Sequence, residues 1–225
     1  ISGFNIQFRH KPFQGYPGGD FIDFITINDR YTTIVLGDVM GKKWGAWFFS
    51  FGFLSYIRAA VRLCVFEGDL STKSIMQKIN SVVHHDPVVS EVLSTLSLVM
   101  LDTQNARLSY SGAGDLPLLY YNRGNETTTR IQSGGLLLGL REDGDFDEFD
   151  FKMNAGDQLF MITDGMIDFE ENGRKRTEYR SFENAIAPYV NKADTFGDFT
   201  ASDFFKKRMT EQIDDCSFIF LQKQV

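Results

Sequence analysis

Short apolar runs separated by turn residues cover most of the 225-residue chain. Runs at 4–9, 19–27, 31–38, 95–102, 106–112, 116–122, 147–153, 158–163 and 216–222 are rich in branched and aromatic residues and predict strands. Turn signals stand between several of them, "NDR" at 28–30, "DTQN" at 102–105 and "NRGN" at 122–125. Such close spacing predicts antiparallel hairpins. Stretches such as "ITINDRYTTIVL" and "TLSLVML" do not alternate cleanly between apolar and charged positions, so both faces of these strands need cover. Antiparallel sheets commonly leave one face to solvent. Two sheets packed on each other, with helices outside, meet the requirement.

Helical patterns supply that outer cover. The stretch 44–66 carries only Arg58 and Arg62 as charges, which predicts a helix buried on most sides. Residues 71–84 begin with Ser71 as a cap and place Ile75, Ile79, Val82 and Val83 on one stripe. Weaker helical signals lie at 178–191 and 200–212. The expected fold class is α+β, a four-layer α-β-β-α sandwich of two packed antiparallel sheets flanked by helices. No repeat or linker divides the chain, so residues 1–225 are expected to form a single domain. Its start at Ile1 suggests a fragment of a longer chain with an upstream regulatory or sensor domain. The longest charge-free apolar run, 44–57, falls short of the roughly 20 residues that cross a bilayer, so no membrane span and a cytoplasmic location are expected.

Composition narrows the chemistry. A net charge of −7 argues against a nucleic-acid partner, which calls for a basic face. Cys64 and Cys216 are the two cysteines, too few for a disulfide framework or a zinc knuckle. With three histidines in the chain, any metal centre would rest on carboxylates, which suit magnesium, manganese or calcium.

Aspartates recur at strand ends: Asp20 and Asp23 in "PGGDFIDF", Asp38 in "LGDVMG", Asp164 and Asp168 in "MITDGMID", Asp214 and Asp215 in "QIDDCSF". A carboxylate at the end of a buried strand is costly unless something positive meets it. Clustered carboxylates repel unless a divalent ion neutralises them, and a hard ion prefers oxygen ligands. Asp20 and Asp23 stand three apart, so a regular strand turns them to opposite faces and one of the two can line a shared site. Asp157 in "AGD" reads as a turn residue.

Taken in order, "GGDFIDF", "GDVMGK", "TLSLVMLD", "YSGAGDLPLLYY", "GGLLLGL", "AGDQLFMITDGMID" and "DDCSFIFL" resemble the bacterial metal-dependent serine/threonine phosphatases. These form the sporulation-E and RsbU-like branch of the protein phosphatase 2C (PPM) superfamily. The resemblance runs from Phe4 to Leu221. It implies a phosphoprotein phosphatase with two Mn2+ or Mg2+ ions at one end of the sandwich. Carried over by position, Asp38 would bridge both ions and the Val39 carbonyl would bind one. Asp164 and Asp214 would complete the other shell, and Asp20 would join directly or through water. Asp168 and Asp215 would support these ligands. A water between the ions would attack phosphorus in line, with Asp38 and Asp164 acting through the metal. The implied substrate is a phosphoserine or phosphothreonine on a regulatory protein of the anti-anti-sigma kind, in stress-response signalling.

Departures from the pattern raise further expectations. "GKKWGAW" puts Lys43 and Trp44 where the family has small residues, and Lys42 or Lys43 is a candidate contact for a substrate phosphate. Asp115 stands where the family often has histidine, a change in local hydrogen bonding. The run "WGAWFFSFGF" exceeds one packing face, which suggests a homodimer surface on the 44–66 helix. Two rivals remain in view. A cyclase echo in "GGDF" lacks the upstream half-domain and the second acid. A pseudophosphatase scaffold would have no use for crowded carboxylates.

Overall fold

A computed structural model describes residues 1–225 apart from Lys42, Asn172 and Val225, and apart from the side chains of Lys43 and Trp44. Its strands are β1 (Phe4–Lys11), β2 (Asp20–Thr26), β3 (Tyr31–Val39), β4 (Ser94–Asp102), β5 (Arg107–Ala113), β6 (Leu118–Asn122), β7 (Thr127–Ile131), β8 (Phe149–Lys152), β9 (Gln158–Ile162), β10 (Asp168–Glu171), β11 (Arg174–Thr177) and β12 (Cys216–Lys223). The helices are α1 (Lys43–Phe66), α2 (Thr72–His85), α3 (Tyr179–Ile186), α4 (Thr195–Thr200) and α5 (Asp203–Thr210).

The strands build two five-stranded antiparallel sheets, ordered β2-β3-β4-β5-β8 and β1-β12-β9-β6-β7, and a separate β10-β11 hairpin. Strand parity lays down the layers. Ile34, Leu36, Val99 and Leu101 face the other sheet and meet Leu159, Met161, Ile219 and Leu221 between the sheets. Their neighbours Val35, Leu98 and Met100 face outward and pack beneath α1 and α2. On the other sheet Phe160, Phe218 and Phe220 face outward beneath α3, α4 and α5. The four-layer α-β-β-α sandwich expected from the sequence is the fold observed.

β1 and β12 pair along their whole length, from Phe4 opposite Lys223 to Lys11 opposite Cys216. The two ends of the chain therefore complete one sheet together. Ser71 caps α2 as expected, its hydroxyl accepting from the Ser74 N–H at 3.2 Å.

One expectation needs correction. α1 is not buried on most sides: Phe53, Ile57, Val61 and Cys64 pack on the sheet, while Phe48, Phe51, Leu63 and Phe66 are exposed, Phe66 by 89%. One sheet and α2 cover one side, and no described element covers the other. That uncovered side carries the residues to which the sequence assigns a homodimer contact. As expected, the helix continues past the charge-free stretch through Arg58 and Arg62. By length and composition alone, the 22 residues Gly45–Phe66 could cross a membrane, although Arg58 is tied to Asp23 on β2 at 2.6 Å. The helical signal at 200–212 is met by α5, Asp203–Thr210. Ser202 starts α5 afresh, its hydroxyl accepting from the Phe205 N–H at 3.2 Å.

Candidate active site

The candidate site lies where β2, β3, β9 and β12 end on one side of the sandwich. Asp20 and Asp38 are direct partners in the β2–β3 register. Asp38 closes β3, its N–H donating to Thr95 Oγ1 at 3.0 Å and its carbonyl accepting from Ser94 Oγ at 3.0 Å. The next N–H, of Val39, donates to the Gly19 carbonyl at 3.2 Å. A methyl at Gly19 would lie 2.3 Å from the Val39 carbonyl oxygen and 2.8 Å from Asp38 Oδ1. Those two hard oxygens thus open onto one gap that any side chain at position 19 would fill.

Asp20 points inward, as the three-residue offset from Asp23 required. Its Oδ2 accepts from Thr163 Oγ1 at 2.7 Å and Ser217 Oγ at 2.6 Å, while its buried Oδ1 has no hydrogen-bond partner. Asp23 faces the other way and pairs with Arg58 through both oxygens, at 2.6 and 2.8 Å. Asp164 opens a 3-10 turn, Asp164–Met166, directly after β9. Asp214 and Asp215 lead into β12. The Asp215 carboxylate accepts from the N–H groups of Phe13 at 2.7 Å and Gly19 at 2.8 Å, so it fixes the loop ahead of β2.

The fields of these acids overlap. Burial, together with the charges of Asp164, Asp214 and Asp215, pushes the Asp38 carboxyl up to about 8. Burial and the Asp168 charge raise Asp164 to about 6. Burial and the charge of Asp38 raise Asp20 well above the usual carboxylate range. A cation placed among them would reverse each of these penalties.

Lys175 supplies one positive charge. From β11 it forms an ion pair with the buried Asp168 and reaches Asp164 at 3.4 Å and Asp214 at 3.9 Å. Thr177 donates to the other oxygen of Asp168. Among the described residues no three acids, histidines or cysteines are gathered into a ready cation cage. The donor set nevertheless suits a hard divalent ion: carboxylate and carbonyl oxygens, an unpartnered buried Asp20 oxygen, and the open gap beside Gly19. Asp20, Asp38, Asp164 and Asp214 are brought together at this end, and Asp168 and Asp215 stand beside them as hydrogen-bonded and ion-paired supports. Lys42 lies outside the described residues, as does the Lys43 side chain, so the phosphate contacts expected of them do too.

A cleft of about 170 Å³ runs from Asp38 and Asp164 to Asp115. Asp115 Oδ2 accepts from Tyr110 at 2.7 Å and from Ser97, and its Oδ1 is buried without a partner. Burial raises this carboxyl from 3.8 to about 7. Between those values the folded protein keeps a proton that the unfolded chain has released, so stability falls as pH rises through the window. Asp115→Asn removes the titration. The variant should therefore gain on the wild type between pH 5 and pH 8, by about 2.5 kcal/mol of unfolding free energy in urea. A difference that does not change with pH would remove the assignment.

Sequence reasoning missed Thr163, Ser217, Thr95, Ser97 and Lys175. Ser217 left a trace, as a polar residue inside the apolar run of β12. Lys175 left another: acidic "DFEE" and basic "RKRT" flank Asn-Gly, a hairpin signal.

Residues 28–224 match the family model of stage II sporulation protein E, SpoIIE. The chain belongs to the SpoIIE family. Phosphoserine phosphatase RsbU of Bacillus subtilis is 26% identical over 156 residues, which are 69% of the chain and 44% of RsbU. The chain spans less than half the length of the curated relatives it matches. The PP2C phosphatase domain of SpoIIE from Bacillus subtilis superposes with a TM-score of 0.77 at 20% identity, covering 98% of the chain and 62% of that structure. RsbX, solved in complex with magnesium, superposes with a TM-score of 0.70 at 14% identity, covering 97% and 94%. These structural likenesses show the fold.

Proposed function

We propose that the protein is a divalent-metal-dependent serine/threonine phosphatase acting on a phosphorylated regulatory protein. One observation carries this reading. Asp20, Asp38, Asp164 and Asp214 meet at one end of the sandwich, where burial and neighbouring acids raise the carboxyls of Asp20, Asp38 and Asp164. Asp38 would face both ions, with the Val39 carbonyl and Asp20 on one side and Asp164 and Asp214 on the other. Bound there, two Mn2+ or Mg2+ ions supply activation of water and neutralisation of the phosphoryl oxygens.

The chain's own residues set the stage for that chemistry. Thr163 and Ser217 orient Asp20 and leave its other oxygen available, and Asp215 fixes the loop that carries it. Gly19 keeps the space before Asp38 and Val39 open. Neither cysteine is suited to act as a phosphate-accepting nucleophile. Both are buried, and burial pushes the Cys216 thiol up to about 12.

RsbU, named a phosphoserine phosphatase, supports the choice of phosphoserine or phosphothreonine. The sequence resemblance supports a partner of the anti-anti-sigma kind. The test is hydrolysis of p-nitrophenyl phosphate and of a phosphoserine peptide with Mn2+ and with excess chelator. Both should be cleaved with Mn2+ and fall to background in chelator. An inert protein in Mn2+ would favour a signalling scaffold.

A further inference from the structure

The Lys175 ammonium stands among acids that the proposed function assigns to divalent ions. We infer that Lys175 is a built-in counter-cation, which competes with a divalent ion for Asp164 and Asp214 and thereby couples ion binding to the position of the β10-β11 hairpin. The inference rests on the divalent-ion reading above.

Three observations carry it. First, one ammonium reaches three carboxylates, paired with Asp168 and standing 3.4 Å from Asp164 and 3.9 Å from Asp214. Asp168 shares the hairpin with Lys175 and is fully buried, whereas Asp164 and Asp214 belong to the sandwich. The contacts to those two acids therefore join hairpin to sandwich. An ammonium and a divalent ion cannot share those oxygens, because they seek the same donors and repel each other at such distances. Second, Asp20 Oδ1 is buried and unpartnered beside Asp38, so the centre holds donor capacity that Lys175 does not use. Third, β10 and β11 pair with each other and with neither large sheet. A two-stranded hairpin is marginal alone, so its free strand shifts at small cost. Its base is held: Arg208 donates to the Asp168 carbonyl at 2.9 Å, its guanidinium 5.1 Å from the centres of the Phe169 and Phe204 rings. Motion is thus directed to β11, which carries Lys175.

Linkage makes the two effects reciprocal: whatever the ammonium subtracts from ion affinity, the ion subtracts from hairpin order. The test uses Mn2+ with wild type and Lys175→Met, a substitution at a half-exposed position. Free Mn2+, counted by electron paramagnetic resonance, should show the variant binding about tenfold tighter or more. Amide hydrogen exchange over 168–177 should speed up in the wild type when Mn2+ is added and stay unchanged in the variant. Equal affinity in the two proteins, or a wild-type hairpin that exchanges no faster with Mn2+, overturns the role of Lys175. Absence of Mn2+ binding by both proteins overturns the divalent-ion reading itself, and this inference with it.

Discussion

Asp38→Asn should lower Mn2+-dependent hydrolysis of p-nitrophenyl phosphate by about a thousandfold or more without lowering the melting temperature in chelator. The two halves have one cause. Asp38 sits at the strand end where the fields of Asp164, Asp214 and Asp215 add to burial. Its charge costs the fold free energy, and the proposed ions would be what requires it. Asparagine preserves the size of the side chain and leaves the backbone contacts to Thr95 and Ser94 intact. It removes the charge on which both proposed ions depend. Steady-state rates, with differential scanning calorimetry on the same preparations, separate this outcome from misfolding. A variant that keeps its rate would remove Asp38 from the reaction, and one that melts early would make it a structural residue.

Gly165→Ala should destabilise the protein by about 3 kcal/mol. The melting temperature should then fall by roughly 6–12 °C. A methyl there would stand 1.9 Å from the Asp215 carbonyl oxygen and 3.0 Å from Cys216 Sγ. The nearest obstacle is backbone at the start of β12, so no side-chain rotation relieves the clash. Relief must push the Asp164 turn away from the Asp214-Asp215 segment, which separates acids assigned to one centre. Activity should therefore drop together with stability, unlike the split expected for Asp38→Asn. Calorimetry showing an unchanged melting temperature would mean that the turn and β12 are less tightly joined than 1.9 Å implies.

Much of this architecture was written in the apolar runs. β3, β4, β9 and β12 are covered on both faces, so they stand out as nearly continuous hydrophobic stretches. β7 was invisible, because "TTTRI" is a largely exposed edge strand without an apolar face. β10 and β11 were invisible for a related reason: their pairing sets Glu170 against Lys175 and Glu171 against Arg174, and such charges read as loop. α1 was misjudged because composition tells how greasy a helix is and not how many neighbours it has.

The acids of the site were legible for an energetic reason. A carboxylate that ends a buried strand demands an explanation, and parity alone separated Asp20 from Asp23. Asp157 reads as a turn residue and is one, accepting from the N–H groups of Arg123 and Asn154 at 2.8 and 2.7 Å. The hydroxyls that orient Asp20 were not legible, because serine and threonine in strands are ordinary. Lys175 was lost in a basic run whose other members carry no sign of a different role.

The pairing of β1 with β12 governs when the site can come into being. During synthesis, Asp20 and Asp38 emerge well before Ser217, which orients Asp20, and Asp215, which holds the loop before it, both of which arrive with β12. Until β12 has been made, the centre cannot assemble. Such long-range closure is slow relative to local pairing, which makes the docking of β12 the step on which the centre waits.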